Sequence, residues 1–569
     1  SVGLPPCPHT VFIFIIFMAH NLLRCVAIAI VTLRIAARTF LNVDQDMSER
    51  MSSSAVRESL LAELKHAVVH GPGETKLLQL EASLKPMHAA LPKNEHGNLG
   101  VEAVSYALHR FFVERHGWHV KGLEPSARAT FNSPAASILK NRVPSYMQSM
   151  VEEQLGGYGF GLHELAVLAA SLEHLVHDDV IGRLQSVFEV YDLPLTGGIS
   201  ESLVDAAIDT YMMVYIQGGN LTGMTPKKLQ AKHARLTKKD PSWRETRVWM
   251  RDVRRSVSYA ARDLKNPFSQ HGLDFADAAH VVEEIGEQFG RWQDLECRSL
   301  KNTLVDLDRN SKGRVLLSDF YRATLDGLVP NPFEFDESIE FLRQLGAVDE
   351  SNPAQPSVLI PNYVNARTNC LTTTSFYSVC CIDECERLLA RLESVIGAPA
   401  AIPTLILEFV GNLPSDTVEA PRNLSDSLVR RLHEVADRHD GKVPLHSRLF
   451  AQWMHHAYPS ECIFPHAHGV SSAVSSDEWL SEVDRHVSEE VMRRFVGEEA
   501  ESDPNGRTAT THNLHREVEI MWTEEQELFA VSTNSPAGVG ILRQFCRCAA
   551  LAVVLGAVAF NLVKVWTDS

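Results

Sequence analysis

The chain of 569 residues carries a formal net charge of -17, with 45% hydrophobic and 22% charged residues. That length exceeds what one hydrophobic core organises, so two or more packed units with tails are expected. The acidic balance excludes a protein held on nucleic acid by phosphate neutralisation, and no nucleic-acid partner is expected. Ten cysteines in so long a chain do not read as an extracellular disulfide framework, which favours a reducing compartment.

Residues 1–46 form a hydrophobic or targeting segment. With Met18 as a start, Ala19 to Val43 holds no acid and places Arg24, Arg34 and Arg38 around the apolar run Cys25 to Leu33, the pattern of a removable targeting peptide. With Ser1 as the start, Val11 to Phe17 and that run read as a first membrane span interrupted by His20, Asn21 and Arg24. Residues 47–100 are polar and mixed, a linker with short helices such as Val56 to Val69. Helical spacing of apolar residues begins at Val101 to Val113 and dominates from Leu162 to Met213, while strand-like alternation is scarce. The expected fold class is therefore mainly α, with a helical domain over 101–345.

Thr225 to Arg255 is a basic block in an acidic protein. Trp243, Trp249, Met250 and Val253 fall on one face of a helix there, so the block reads as a surface helix with inward tryptophans. The competing reading is a calmodulin-type target or membrane-surface helix.

The segment Leu304 to Tyr321 reads as a helix, a ligand loop and a second helix. Counting Asp308 as loop position 1 places Asn310 at 3, Lys312 at 5, Gly313 at 6, the Arg314 carbonyl at 7, Val315 at 8 and Asp319 at 12. A frame beginning at Asp306 puts Ser311 at the glycine position and is worse. The segment resembles an EF-hand, and the resemblance implies calcium held by Asp308, Asn310, Lys312, Arg314 and Asp319. Lys312 brings an ammonium where an oxygen donor belongs, and Arg314 adds a second positive charge, so the expected calcium affinity is weak or vestigial. Two ligand-poor echoes flank it. Phe188 to Leu203 keeps Gly197 and Ile199 but has Pro194 at position 3 and Leu203 at 12; Leu432 to His446 keeps Gly441 and Val443 but reaches Ser447 at position 12.

Residues 346–469 read as a helical domain rich in Cys and His. Cys380, Cys381, Cys385, His455, His456, Cys462, His466 and His468 offer a zinc set or a thiol nucleophile, although only Cys381 and Cys385 have a metal-like spacing. Cys381, Cys385, Leu388, Leu389 and Leu392 also share one helical face, which reads as core packing. The loop at Asp308, together with Asn369-Cys370, Phe376-Tyr-Ser-Val-Cys-Cys381, Glu384-Cys-Glu386 and Phe464-Pro-His466, resembles a group of EF-hand-domain proteins of microbial eukaryotes over roughly 162–469. That resemblance implies an α-helical EF-hand-containing body and no particular activity.

Residues 470–540 are an acidic connector, with short helices expected at Glu478 to Val496 and Glu517 to Phe529. Within 541–569, Cys548 to Val563 is uncharged between Arg543, Arg547 and Lys564. At 1.5 Å per residue it covers roughly 24 Å, short of a ~30 Å hydrocarbon core but within reach of snorkelling flanks. It reads as a transmembrane anchor, with a buried helix as the alternative. The sequence thus predicts a membrane-anchored EF-hand protein acting through an unidentified protein partner, its body cytosolic. The alternatives are a metal- or thiol-dependent enzyme and a metal-free structural scaffold. In a lumen, Asn220-Leu-Thr222 and Asn423-Leu-Ser425 become glycosylation candidates.

Overall fold

The computed structural model describes residues 73–120, 123, 159–217, 221, 223–239, 242–262, 273–329, 334–371, 377–465, 486–502 and 521–529. The chain divides into two units, Ser1–Gly73 and Glu74–Ser569, and the description below concerns the second. The expected span at Cys548 to Val563 and the targeting segment at 1–46 lie outside the described residues. Among the described residues, no helix is long and apolar enough to cross a membrane.

The described chain is mainly helical. In chain order it forms α1 Gly73–Ala90, α2 Val101–His116, α3 Leu162–Tyr191, α4 Glu201–Gln217, α5 Pro226–Lys239, α6 Ser242–Arg262 and α7 Phe275–Leu307. After these come α8 Leu317–Leu325, α9 Ile339–Gln344, α10 Ile360–Val364, α11 Glu384–Ile396, α12 Pro403–Asn412, α13 Asp426–Asp437, α14 Arg448–Ala457 and α15 Glu489–Ser502. The strands are very short: β1 Trp118–Val120, β2 Arg314–Leu316, β3 Val348–Asp349, β4 Ser357–Leu359, β5 Tyr377–Val379, β6 Ala400–Ala401 and β7 Val443–Pro444.

Local chemistry sets several boundaries. Asp274 caps α7 by accepting from the Asp277 amide, and Asp277 reciprocates to the Asp274 amide, a closed capping box. With 33 residues, α7 runs about 50 Å at 1.5 Å per residue and acts as the spine. The polar stretch taken as linker ends in ordered structure, because Leu80, Leu84, Met87 and Leu91 of α1 and its exit are buried.

The loops between helices pair in a repeated way. Leu99 contacts Phe160 and Ile199 contacts Leu273 in antiparallel bridges; Val315 pairs with Val358 and Ala401 with Val443 in two-strand contacts. One member of each pair follows, by two residues, a glycine at positive φ: Gly97 at 76°, Gly197 at 106°, Gly313 at 70° and Gly441 at 80°. The glycine lets the backbone reverse, and the apolar residue two further on enters the bridge with its side chain buried. The other members, Phe160, Leu273, Val358 and Ala401, each sit two residues ahead of a helix, α3, α7, α10 and α12. Among the described residues, four such contacts each couple a glycine turn to a residue that leads into a helix.

The basic block folds as α5 and α6, and its apolar face is consumed by packing. Trp243, Met250 and Val253 are buried, and Trp249 stacks on Trp292 with ring centroids 5.0 Å apart. On the outer face, Arg247 and Arg251 donate to Asp209 of α4 at 2.9 and 3.1 Å, while Arg254 reaches Glu201 and Asp205. The aromatic face of α6 is therefore not free, whereas Arg244 and Arg255 of α6 and Lys227, Lys228, Arg235 and Lys238 of α5 remain exposed.

Two expectations change. All six cysteines among the described residues are paired, Cys297 with Cys381, Cys370 with Cys380 and Cys385 with Cys462. The adjacent Cys380 and Cys381 leave the end of β5 on opposite sides, as successive side chains of an extended segment must, and so reach different partners. Wide spacing along the chain hid two of these pairs, which span 84 and 77 residues, while Cys370 and Cys380 lie only 10 apart. The second change lies in the acidic connector, where Met521–Phe529 is extended rather than helical and bridges Ser447 through Leu528. Of the helix expected at Glu478 to Val496, the part up to 485 lies outside the described residues, 486–488 are not helical, and α15 from Glu489 packs on α8 with Met492 buried.

Candidate functional site: the Asp308 loop and the cleft beside it

The loop between α7 and α8 closes on Asp308. One carboxylate oxygen accepts from the amides of Gly313 at 2.6 Å and Arg314 at 3.3 Å, the other from Asn310 at 3.2 Å. Ser311 and Gly313 both take positive φ, and the Gly313 carbonyl accepts from Ile360 at 2.9 Å, tying the loop to its partner at β4. This is the turn that the Asp-x-Asn-x-Lys-Gly spacing predicts, built by an acid that gathers amides around itself.

The far end of the loop is occupied by protein cations. Asp319 is buried at 6% exposure, and its Oδ1 accepts from Arg309 at 2.5 Å and Arg322 at 2.7 Å. Its Oδ2, equally buried, has no hydrogen-bond partner. Arg314 turns away to pair with Asp349 on β3. Asn310 and Lys312 are exposed.

These residues fit calcium poorly. A hard dication takes six to eight oxygen donors and gains from net negative charge in its loop. Here Asp308 and Asp319 are the loop's only acids, both Asp308 oxygens bind amides, and Asp319 is neutralised by two guanidinium groups in charge-assisted contacts. The structure thus brings Asp308, Asn310 and Asp319 into one loop as the spacing predicts, yet gives the closing carboxylate to arginine.

The loop lines one wall of an open cleft of about 890 Å³ whose other walls are Asp349 to Ser357, the start of α13 at Ser425 to Leu428, and His456, Pro459 and Met521. Burial pushes the His456 imidazole down to about 4, partly countered by its hydrogen bond to the Met521 carbonyl. The ring there is neutral at ordinary pH, so its Nε2 donates and its tautomer is fixed. Gly313 is packed so closely beneath the cleft that a Cβ would lie 1.9 Å from the Pro459 oxygen.

The Cys and His segments do not form the zinc or thiol constellation that their composition offers. Cys380, Cys381, Cys385 and Cys462 are bonded in disulfides, so no thiolate remains among them to ligate or attack. His455 is fully buried on α14 and its Nδ1 bonds the Cys462 carbonyl at 2.7 Å. Among the described residues, no group of three or more His, Cys, Asp or Glu side chains converges as a metal site; His466 and His468 lie outside them. The expected shared face holds only for Cys385, Leu388, Leu389 and Leu392 of α11, which pack in one core, while Cys381 precedes the helix and joins another, and both cysteines are there as disulfides instead of free thiols.

Sequence reasoning passed over Arg309 and Arg322 because neither occupies a ligand position. Their signal was present: charges one residue after position 1 and three after position 12 flank the two acids and equal them in number. Comparisons with protein-family models, curated proteins and solved structures find no match.

Proposed function

We propose that this chain is a membrane-tethered scaffold of EF-hand-like pairs that works through protein contacts, its one ligand-bearing loop held shut by arginine instead of being switched by calcium. The repeated coupling of loops through a residue two after a glycine is the geometry by which EF-hands pair, and it supports the EF-hand reading of the body. The uncharged run at Cys548 to Val563 supports the tether. The observation that carries the proposal is the double guanidinium contact on Asp319: a cation can enter only by displacing two charges already in place.

Calorimetric titration of the full chain with calcium tests it. The wild type is expected to give no saturable heat up to millimolar calcium, whereas R309S/R322S/K312D restores ligand charge and gains a saturable transition. Saturable wild-type binding at micromolar calcium that Asp308→Ala abolishes overturns the arginine-locked reading in favour of a calcium sensor.

A further inference from the structure

The acidic connector contributes a segment that behaves as a ligand of the body. Arg448, Gln452 and His456 lie four residues apart on α14 and so form one stripe on its surface. Each bonds the main chain of Met521–Phe529. Arg448 donates from Nη1 to the Glu525 carbonyl at 2.7 Å and from its own amide to Glu527 at 2.8 Å. The Gln452 carboxamide clamps Thr523, accepting from its amide at 2.9 Å and donating to its carbonyl at 3.1 Å. His456 donates to the Met521 carbonyl at 2.7 Å.

The match is geometric. Four helical residues rise about 6 Å, and two extended residues about 6.6 Å, so a polar stripe at every fourth helix position meets alternate residues of a strand running the other way. Such a ladder reads backbone and tolerates many sequences. Selectivity comes from the side chains: Trp522 packs against the α13–α14 core with the Arg431 guanidinium 5.2 Å from its ring. Glu524 pairs with Arg438 and Arg431, and the Phe529 ring stacks on Tyr106 with centroids 6.2 Å apart.

Burial is lopsided. Arg448 and Gln452 are 1% and 0% exposed, yet none of the nine residues covering them is fully buried. Lifting the segment strips polar groups of their partners while leaving the apolar core of α13 and α14 packed. A stripe of that kind is tolerated beside a core only with an occupant in place.

We propose that the stripe Arg448–Gln452–His456 is a peptide-recognition site for an extended acidic segment with an aromatic residue at its start and another seven positions on. Met521–Phe529 fills it in cis, and a partner protein presenting the same chemistry takes it in trans by displacement. The inference rests on the reading that the chain works through protein contacts, and it stands or falls independently of calcium. An occupant in the same chain competes intramolecularly and sets the threshold that a partner must exceed, so access to the groove is regulated by the connector itself.

The test uses a fluorescein-labelled synthetic peptide, Met521 to Phe529, and the full chain. Anisotropy is expected to show binding to W522A/E524A/F529A, whose own segment is weakened, at least tenfold tighter than to the wild type. Adding Q452A to that background should lose at least tenfold. A folded W522A/E524A/F529A chain that fails to bind, or binding indifferent to Q452A, overturns the proposal. Should the triple variant not fold, hydrogen exchange on the wild type decides. Excess peptide is expected to accelerate exchange at the amides of Thr523 and Phe529 while α14 stays protected, and unchanged exchange at those amides overturns the proposal.

Discussion

A side chain at Gly313 meets two obstacles, a φ of +70° and the Pro459 oxygen 1.9 Å from where its Cβ would stand. The first costs about 1–2 kcal/mol for a non-glycine residue, and overlap in a packed site about 1–3 more. Gly313→Ala is therefore expected to destabilise the chain by roughly 2–5 kcal/mol in denaturant titration. A change below about 0.5 kcal/mol would mean that Pro459 does not press on the loop. Glu337 shows a different kind of constraint. Burial pushes its carboxyl up to about 7, although the Tyr363 hydroxyl donates to it at 2.6 Å. Its folded value exceeds the ordinary 4.5, so the folded state binds more protons between these values. Its contribution is fully present below pH 4.5 and is lost as pH rises through 7. Thermal melts of Glu337→Gln and wild type should diverge from pH 5 to pH 8, with the wild type losing stability relative to the variant; parallel profiles would show that Glu337 titrates normally.

The elements are joined by buried charge as well as by apolar contact. Arg110 on α2, 1% exposed, meets Glu386 and Glu393 on α11, and Glu393 is fully buried. His446, ahead of α14, approaches the same Glu393 at 3.4 Å. Removing one member of such a group strands the other's charge, which costs about 3–5 kcal/mol, whereas replacing both with matched apolar side chains is often neutral. Arg110→Ala is accordingly expected to lose that much, and R110M/E386Q/E393L, which leaves neither carboxylate stranded, to recover most of it; equal losses in both variants would locate the effect in packing rather than charge. What the sequence displays of these elements follows the same physics. The loops at Gly197, Gly313 and Gly441 are legible because a left-handed turn selects glycine and the bridge two residues on selects an apolar side chain. The partners of these three loops have His271, Pro356 and Pro399 two residues before the bridge, and that of the Gly97 loop has Tyr158, none of them a turn signal of that kind. The loop at Gly97 is concealed by the polar residues around it. At the candidate site, Asp308, Asn310 and Asp319 are visible by spacing, but the arginines that neutralise Asp319 act through side-chain reach, which no spacing rule encodes.

At the scale of the whole chain, the longest separations decide what composition alone could not. Met521–Phe529 lies more than 60 residues beyond α14, and Cys297 lies 84 residues from Cys381, so neither contact leaves a local trace. Counting cysteines against chain length pointed to a reducing compartment; pairing all six described cysteines points the other way, because unrelated buried thiols have no reason to meet two by two. Two of the bridges close loops of 84 and 77 residues, each removing on the order of 4 kcal/mol of unfolded-state entropy when taken alone, while the ten-residue loop removes about 3. These terms overlap in one chain and do not sum. We predict that the body folds under oxidising conditions, in a lumenal or external compartment instead of the reducing one that the cysteine count suggests, where the exposed Asn423 sequon comes within reach of glycan transfer. Protein taken from its own cells into acid with a maleimide, then mapped without reduction, should yield the cross-linked peptides 297–381, 370–380 and 385–462, and reduction before melting should lower the transition temperature. Recovery of those six residues as alkylated thiols would return the body to a reducing compartment and leave their pairwise approach as core packing alone.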